Sequence, residues 1–283
     1  MYRPREAVES SPTAAPSLAP RMFTSKRKRF CASAPLTPPL AGSDPEGAQL
    51  LSRAVNVLST AATALSQVTL LYQSDHTARA GLLRAVECIT DVNTAGGKLV
   101  VCGVGKSGLV GKKTVATMKS LGIASSFLHS ADALHGDLGD ISARDAVLFI
   151  SYSGKTAELV ALLDHIPHAT PLLAMTSHTS AAACPLLAER PDAILLPAPI
   201  HELEEASFGV CAPTTSTTVA MAVGDMLALT VAAAMHGDEA KGVFQRNHPG
   251  GAIGATTMKR EEEEPGQEDG VCAKRHKGLV SPA

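Results

Sequence analysis

The chain has 283 residues, 45% hydrophobic and 18% charged, which is enough apolar material for one core with length left over for tails. A formal net charge of -2 excludes the strongly basic face that a nucleic-acid backbone requires, while a small anionic ligand stays compatible. Six cysteines (Cys31, Cys88, Cys102, Cys184, Cys211, Cys272) lie scattered without C-x-x-C pairing, and no signal-peptide pattern opens the chain. Neither a disulfide framework nor a zinc ribbon is expected, and the compartment is read as reducing and cytoplasmic.

Residues 1–44 are rich in Pro, Ser and Ala without a sustained apolar period, which predicts a disordered tail. Within it, Lys26-Arg27-Lys28-Arg29 reads as a solvated basic run; nuclear import and an organelle presequence are the alternatives, and Glu6 and Glu9 count against the second. A helix is predicted from Pro45, with Leu50, Leu51, Ala54, Val57, Leu58, Ala61 and Leu65 on one side at three-to-four spacing. A second is predicted over about Thr77 to Val92, carrying Leu82, Leu83, Val86 and Ile89.

After Gly96-Gly97 the texture changes to short apolar runs at 99–102, 126–128, 146–150, 172–175 and 193–196, with helical stretches between them. Short strands buried on both faces predict an α/β fold: a doubly wound five-stranded parallel sheet flanked by helices. The apolar run from Val219 to Met235 carries Gly224 and Asp225 near its middle and is read as a buried core helix, not a membrane span. The polar segment 261–283 opens with four glutamates and predicts a second disordered tail, leaving one domain over 45–260.

In such sheets the ligand sits at the loops after the strands. The first strand runs into Gly103-Val-Gly-Lys-Ser-Gly108, which matches G-x-G-x-x-G. A dinucleotide fold would need an acidic residue at the end of the second strand, where Leu128-His129-Ser130 stands, and Val100 replaces the first glycine of a P-loop. What survives is glycines that let a backbone approach an anion (Gly105), free amides at a helix start (Ser107) and the charge of Lys106. The third strand ends in Ser151-Tyr-Ser-Gly-Lys-Thr156, and Thr214-Thr-Ser-Thr-Thr218 opens the apolar helix. Helix capping explains part of these hydroxyls, and phosphate binding through Ser151, Ser153, Thr156, Thr215 and Ser216 explains more.

The loop motifs together resemble the sugar isomerase (SIS) domain family, in its D-arabinose 5-phosphate isomerase branch. The matching residues are Gly103–Gly108, Leu134-His-Gly-Asp-Leu-Gly139, Ser151-Tyr-Ser-Gly154, Ala212-Pro-Thr-Thr-Ser-Thr-Thr218 and Asn247-His-Pro-Gly-Gly-Ala-Ile-Gly254, in the family's order over about 50–258. Two segments depart from the pattern. The serine loop usually reads S-N-S-G-E, where Tyr152 and Lys155 stand here, and Ser207-Phe208 replaces a Cys-Pro. The paired CBS regulatory modules that often follow the domain in bacterial members are not expected.

The resemblance implies an enzyme that interconverts D-ribulose 5-phosphate and D-arabinose 5-phosphate through a cis-enediol, with no cofactor and no metal. It implies site roles for Lys106 (stabilising substrate oxygens), Glu205 (the proton-transferring carboxylate), His248 (proton transfer or ring opening), His135 (given to a neighbouring subunit's site) and Glu158. It further implies a homodimer or homotetramer, with no nucleic-acid or membrane partner. Two alternatives stay open: a noncatalytic sugar-phosphate sensor, and an isomerase of a different sugar phosphate, which Tyr152 and Lys155 favour.

Overall fold

The computed structural model describes residues 45–250. The expected tails 1–44 and 261–283, with the basic run 26–29, Cys31 and Cys272, lie outside the described residues, as do residues 251–254 of the last motif. Five strands form one all-parallel sheet in the order β2-β1-β3-β4-β5: β1 Leu99–Gly103, β2 Ser125–Leu128, β3 Ala146–Ile150, β4 Leu172–Thr176 and β5 Ile194–Pro197. This is the doubly wound arrangement expected from the short apolar runs. β5 ends on a proline, which an edge strand tolerates because it has no second neighbour to donate to.

Every residue of β1, β3 and β4 is buried, because helices cover both faces. Alternate residues divide between two cores. Val101, Leu148, Ile150, Leu173 and Met175 pack with α2 (His76–Thr94), α3 (Gly105–Ser120) and α7 (Thr215–His236). Val100, Val147, Phe149, Leu172 and Ala174 pack on the other side with α4 (Ser130–Leu134) and α5 (Ala157–Leu163). The remaining helices are α1 (Pro45–Ser74), α6 (Glu204–Phe208) and α8 (Ala240–Arg246).

The 219–235 run lies within α7, whose Val219, Val223, Leu227 and Val231 recur every fourth residue and are buried. Gly224 lets α7 close on α3, since a Cβ there would stand 2.6 Å from Thr114 Oγ1. Asp75 caps α2 by accepting from the Ala78 amide at 2.8 Å, so that helix starts one residue before the predicted Thr77.

α1 departs from expectation. Only Thr60, Ala64 and Val68 of its thirty residues are buried, and Tyr72 ties its end to the body by donating to the Pro197 carbonyl at 3.0 Å. The leucines expected to share one packed side stand in water: Leu50, Leu51 and Leu58 are 61%, 66% and 72% exposed. α1 and α7 are both long and apolar enough to cross a membrane by composition, but α7 is a core helix and α1 is not.

At the end of the sheet where the strands begin, Asp145 is buried and binds Lys98 twice, accepting from its backbone amide at 2.9 Å and from Nζ at 2.8 Å. The Ser142 amide donates to Asp145 Oδ2 at 2.8 Å. Burial by itself raises the Asp145 pKa, but these donors outweigh it and hold the carboxyl below its usual value.

Candidate active site

The loops that follow the strands gather at the opposite end of the sheet. After β1 the chain enters α3 so tightly that a Cβ on Gly108 would stand 2.8 Å from the Gly103 carbonyl oxygen, and Gly105 takes φ +57° to make the turn. No side chain caps α3 at Val104, so its first-turn amides, with Lys106 and Ser107, face the crevice unclaimed by a cap. β1 and β3 are neighbours whose chains leave toward opposite edges of the sheet, the position where open α/β sheets bind ligands.

The serine turn after β3 is closed mainly upon itself. Ser151 is buried, accepts from the Gly154 amide at 3.1 Å and lies 2.8 Å from Thr156 Oγ1. Ser153 is exposed and accepts from the Lys155 amide at 3.2 Å. Glu158, in the first turn of α5, is exposed.

A cavity of about 380 Å³ opens beside this crevice, over the ends of β3, β4 and β5. Ile150, Met175, Thr176 and Ala198 form its floor. Its polar walls come from Lys106 and Ser107 on α3, Tyr152 after β3, Glu204 on α6, and Ser216 and Thr217 at the start of α7, with Cys211 at the segment between the last two.

Glu204 is the buried carboxylate of this wall. Its Oε1 accepts from Ser216 Oγ at 2.6 Å, from the Ser216 amide at 2.9 Å and from the Thr214 amide at 3.1 Å, so it caps α7. Burial raises its pKa, but the Ser216 hydroxyl and the amides outweigh burial and leave the carboxyl below its usual value. Ser216 therefore spends both donors inside the protein, while Thr215 Oγ1 is buried with no partner among the described residues.

Glu205 is exposed on α6 and does not line the cavity; it lies close to Cys211 at the cavity's rim and raises the pKa of that thiol. His135 caps the exposed end of α4, away from the cavity. His248 is half-buried after α8, its Nδ1 2.8 Å from the Phe244 carbonyl oxygen and its ring stacked on Phe244 at 4.0 Å. Its neighbour Asn247 donates to the carbonyls of Lys119 and Ser120 at the far end of α3. Lys106 and His248 thus stand at opposite ends of a sixteen-residue helix, about 24 Å long at ~1.5 Å per residue.

Of the residues expected in the site, one chain brings Lys106, Ser107 and Ser216 into the cavity, with Gly105 beside them, and Glu205 near its rim. It leaves Ser151, Ser153, Thr156, Thr215, His135, Glu158 and His248 outside the cavity lining. Glu204, Tyr152, Thr217 and Cys211 line the cavity without having been expected there. The Glu204-Glu205 pair in the sequence signals a carboxylate, but the phase of a five-residue helix decides which one is buried. No group of three or more His, Cys, Asp or Glu placed to hold a metal occurs among the described residues.

Residues 94–230 match the SIS domain family. Arabinose 5-phosphate isomerase GutQ of Escherichia coli K12 is 42% identical over 165 residues, 58% of this chain and 49% of that protein. Arabinose 5-phosphate isomerase KpsF of Escherichia coli is 38% identical over 168 residues, again 58% and 49% of the two chains. The chain spans about half the length of the curated relatives it matches. Among solved structures, an Escherichia coli CFT073 protein in complex with arabinose 5-phosphate is 27% identical, covers 71% of this chain and 98% of its own, and superposes with a TM-score of 0.60. With its motifs at the carboxyl end of a parallel five-stranded sheet, the segment 94–230 of this chain is a SIS domain, and arabinose 5-phosphate isomerases are its homologues.

Proposed function

We propose that the protein is an aldose–ketose isomerase that interconverts D-ribulose 5-phosphate and D-arabinose 5-phosphate. The observation that carries the reading is the cavity at the strand ends, where a cation, hydroxyls and a carboxylate converge, in a segment 42% identical to an arabinose 5-phosphate isomerase. In the forward step a base removes a proton from C1 of the ketose, the electron pair passes to the C2 carbonyl oxygen, and that oxygen takes a proton, giving a cis-enediol. Loss of the O1 hydroxyl proton re-forms a carbonyl at C1 while the proton held by the base returns at C2, giving the aldose.

Lys106, which lines the cavity, stabilises the developing oxyanion. Glu204 is a poor base, because three donors stabilise its ionised form. Glu205 carries no such clamp and serves as the proton-transferring carboxylate from the rim. The phosphate is held at the crevice between β1 and β3, by the first turn of α3 with Gly105 and Ser107 and by the serine turn with Ser151, Ser153 and Thr156; Thr215 and Ser216 lie at the third loop.

The working unit is a homodimer or homotetramer. Residues 48–59 of α1 are exposed throughout and contain Leu50, Leu51, Val55, Val57 and Leu58 with one charge, Arg53. A helical projection of that composition is marginal alone in water, and a second copy supplies the matching apolar face. His248 lies too far from Lys106 to join it within one chain, so it and His135 act at a partner's site. The compartment is the reducing cytoplasm, in keeping with free thiols at Cys88, Cys102, Cys184 and Cys211.

Turnover by purified protein on pentose and hexose phosphates, followed by NMR in deuterated solvent, tests the reading. Conversion between the two pentose phosphates with deuterium entering at C1 is expected; binding without exchange identifies a sensor. Mixing inactive Lys106→Met and His248→Ala proteins restores activity if their side chains meet at an interface between copies, and leaves both inactive if they do not.

A further inference from the structure

We propose that Tyr152 is a specificity-determining residue whose ring forms a fixed wall of the cavity and limits the carbon-chain length of the sugar phosphate admitted. This rests on the isomerase reading for its substrate class. The observation behind it is how the loop after β4 holds this residue's backbone while its ring lines the cavity. Its backbone carbonyl accepts from Thr176 Oγ1 at 3.0 Å, from the Ser177 amide at 2.9 Å and from Ser177 Oγ at 2.7 Å, which anchors it to the loop after β4. The Ile200 amide, in the loop after β5, lies near its phenolic oxygen.

The residue therefore starts at the end of β3, and its side chain reaches the loop after β5 across the end of β4. Among the described residues it is the one aromatic side chain in the cavity wall. Burial, and next the nearby charge of Glu204, raises the pKa of the phenol, so it stays protonated and can donate to a substrate hydroxyl.

A wall whose backbone is anchored in this way discriminates by size as a free surface side chain does not, because a longer ligand must displace the ring. An asparagine, the usual residue of the resembled pattern, is too short to make the same span. Lys155 does not share this role, since it is exposed and does not line the cavity.

The test is calorimetric binding of D-arabinitol 5-phosphate and of the six-carbon D-mannitol 1-phosphate, alongside turnover of pentose and hexose phosphates. The wild type is expected to prefer the five-carbon ligand, and Tyr152→Asn to reduce that preference by roughly ten-fold or more, the scale of one added carbon in a fitted pocket. Tyr152→Phe, which keeps the ring, is expected to retain the preference. Tyr152→Leu keeps an apolar surface and gives the same reading if Tyr152→Asn does not fold. An unchanged ratio in the folded short-chain variants overturns the proposal and leaves the isomerase reading standing. A shifted ratio without turnover supports the wall and removes the isomerase, and failure of the wild type to bind either ligand removes both.

Discussion

Ser216 Oγ donates to Glu204 Oε1 at 2.6 Å, and this bond joins a five-residue helix to the N-terminus of the long core helix α7. The same carboxylate oxygen takes the Ser216 and Thr214 amides, so an internal anion occupies the place that a hydroxyl-rich helix start offers to a ligand.

Replacing Glu204 with alanine leaves buried donors without an acceptor and is expected to cost about 1–3 kcal/mol in urea denaturation. The sign of the pH dependence follows from its lowered pKa. The contribution is present in full above the ordinary glutamate value of 4.5 and is lost as pH falls through the lower folded value. Wild type and Glu204→Ala should therefore converge in stability in acid; a gap that persists there would mean that the carboxylate's charge is not what holds α7.

Glu205→Gln is expected to fold normally, because the side chain is exposed, and to bind sugar phosphate nearly as well as wild type. Its kcat should fall by about 10²–10⁴-fold, the usual contribution of a general base. If kcat is unchanged while Glu204→Gln abolishes C1 exchange in folded protein, the proton passes through Glu204 instead.

Lys106→Met removes a cation from an exposed place in the cavity wall and should leave the thermal midpoint unmoved. A kcat loss of about 10²–10³-fold is expected, comparable with removing one oxyanion donor. A purely KM effect would reassign Lys106 to binding.

Asp145→Asn tests the opposite end of the sheet. It leaves the Lys98 ammonium beside a neutral amide and should destabilise by about 2–4 kcal/mol in denaturant unfolding. Because the folded pKa of Asp145 is lowered, this contribution is present above the ordinary aspartate value of 3.8 and declines as pH falls through the folded value. Turnover by the folded fraction should be unchanged, since the network lies away from the cavity; a drop in kcat would connect the two ends of the sheet.

The sheet was legible because its signals are local. Continuous apolar runs of four or five residues between helical stretches admit few arrangements other than a parallel sheet covered on both faces, and glycines and hydroxyls at the strand ends mark the ligand side. Local signals also determined α7, whose apolar residues repeat every fourth position, and the first turn of α3, where a Cβ on Gly108 would collide with the Gly103 carbonyl. Tertiary structure alone decided which neighbour of each pair matters. Glu204 and Glu205 are adjacent and chemically identical, and the rotation of α6 buries one against α7 and leaves the other in water. The leucines of α1 have the period of a packed helix, yet periodicity records that a face is apolar without recording what covers it. Likewise Lys106 and His248 belong to one family pattern, but α3 separates them by its own length, a distance that no spacing in the sequence expresses.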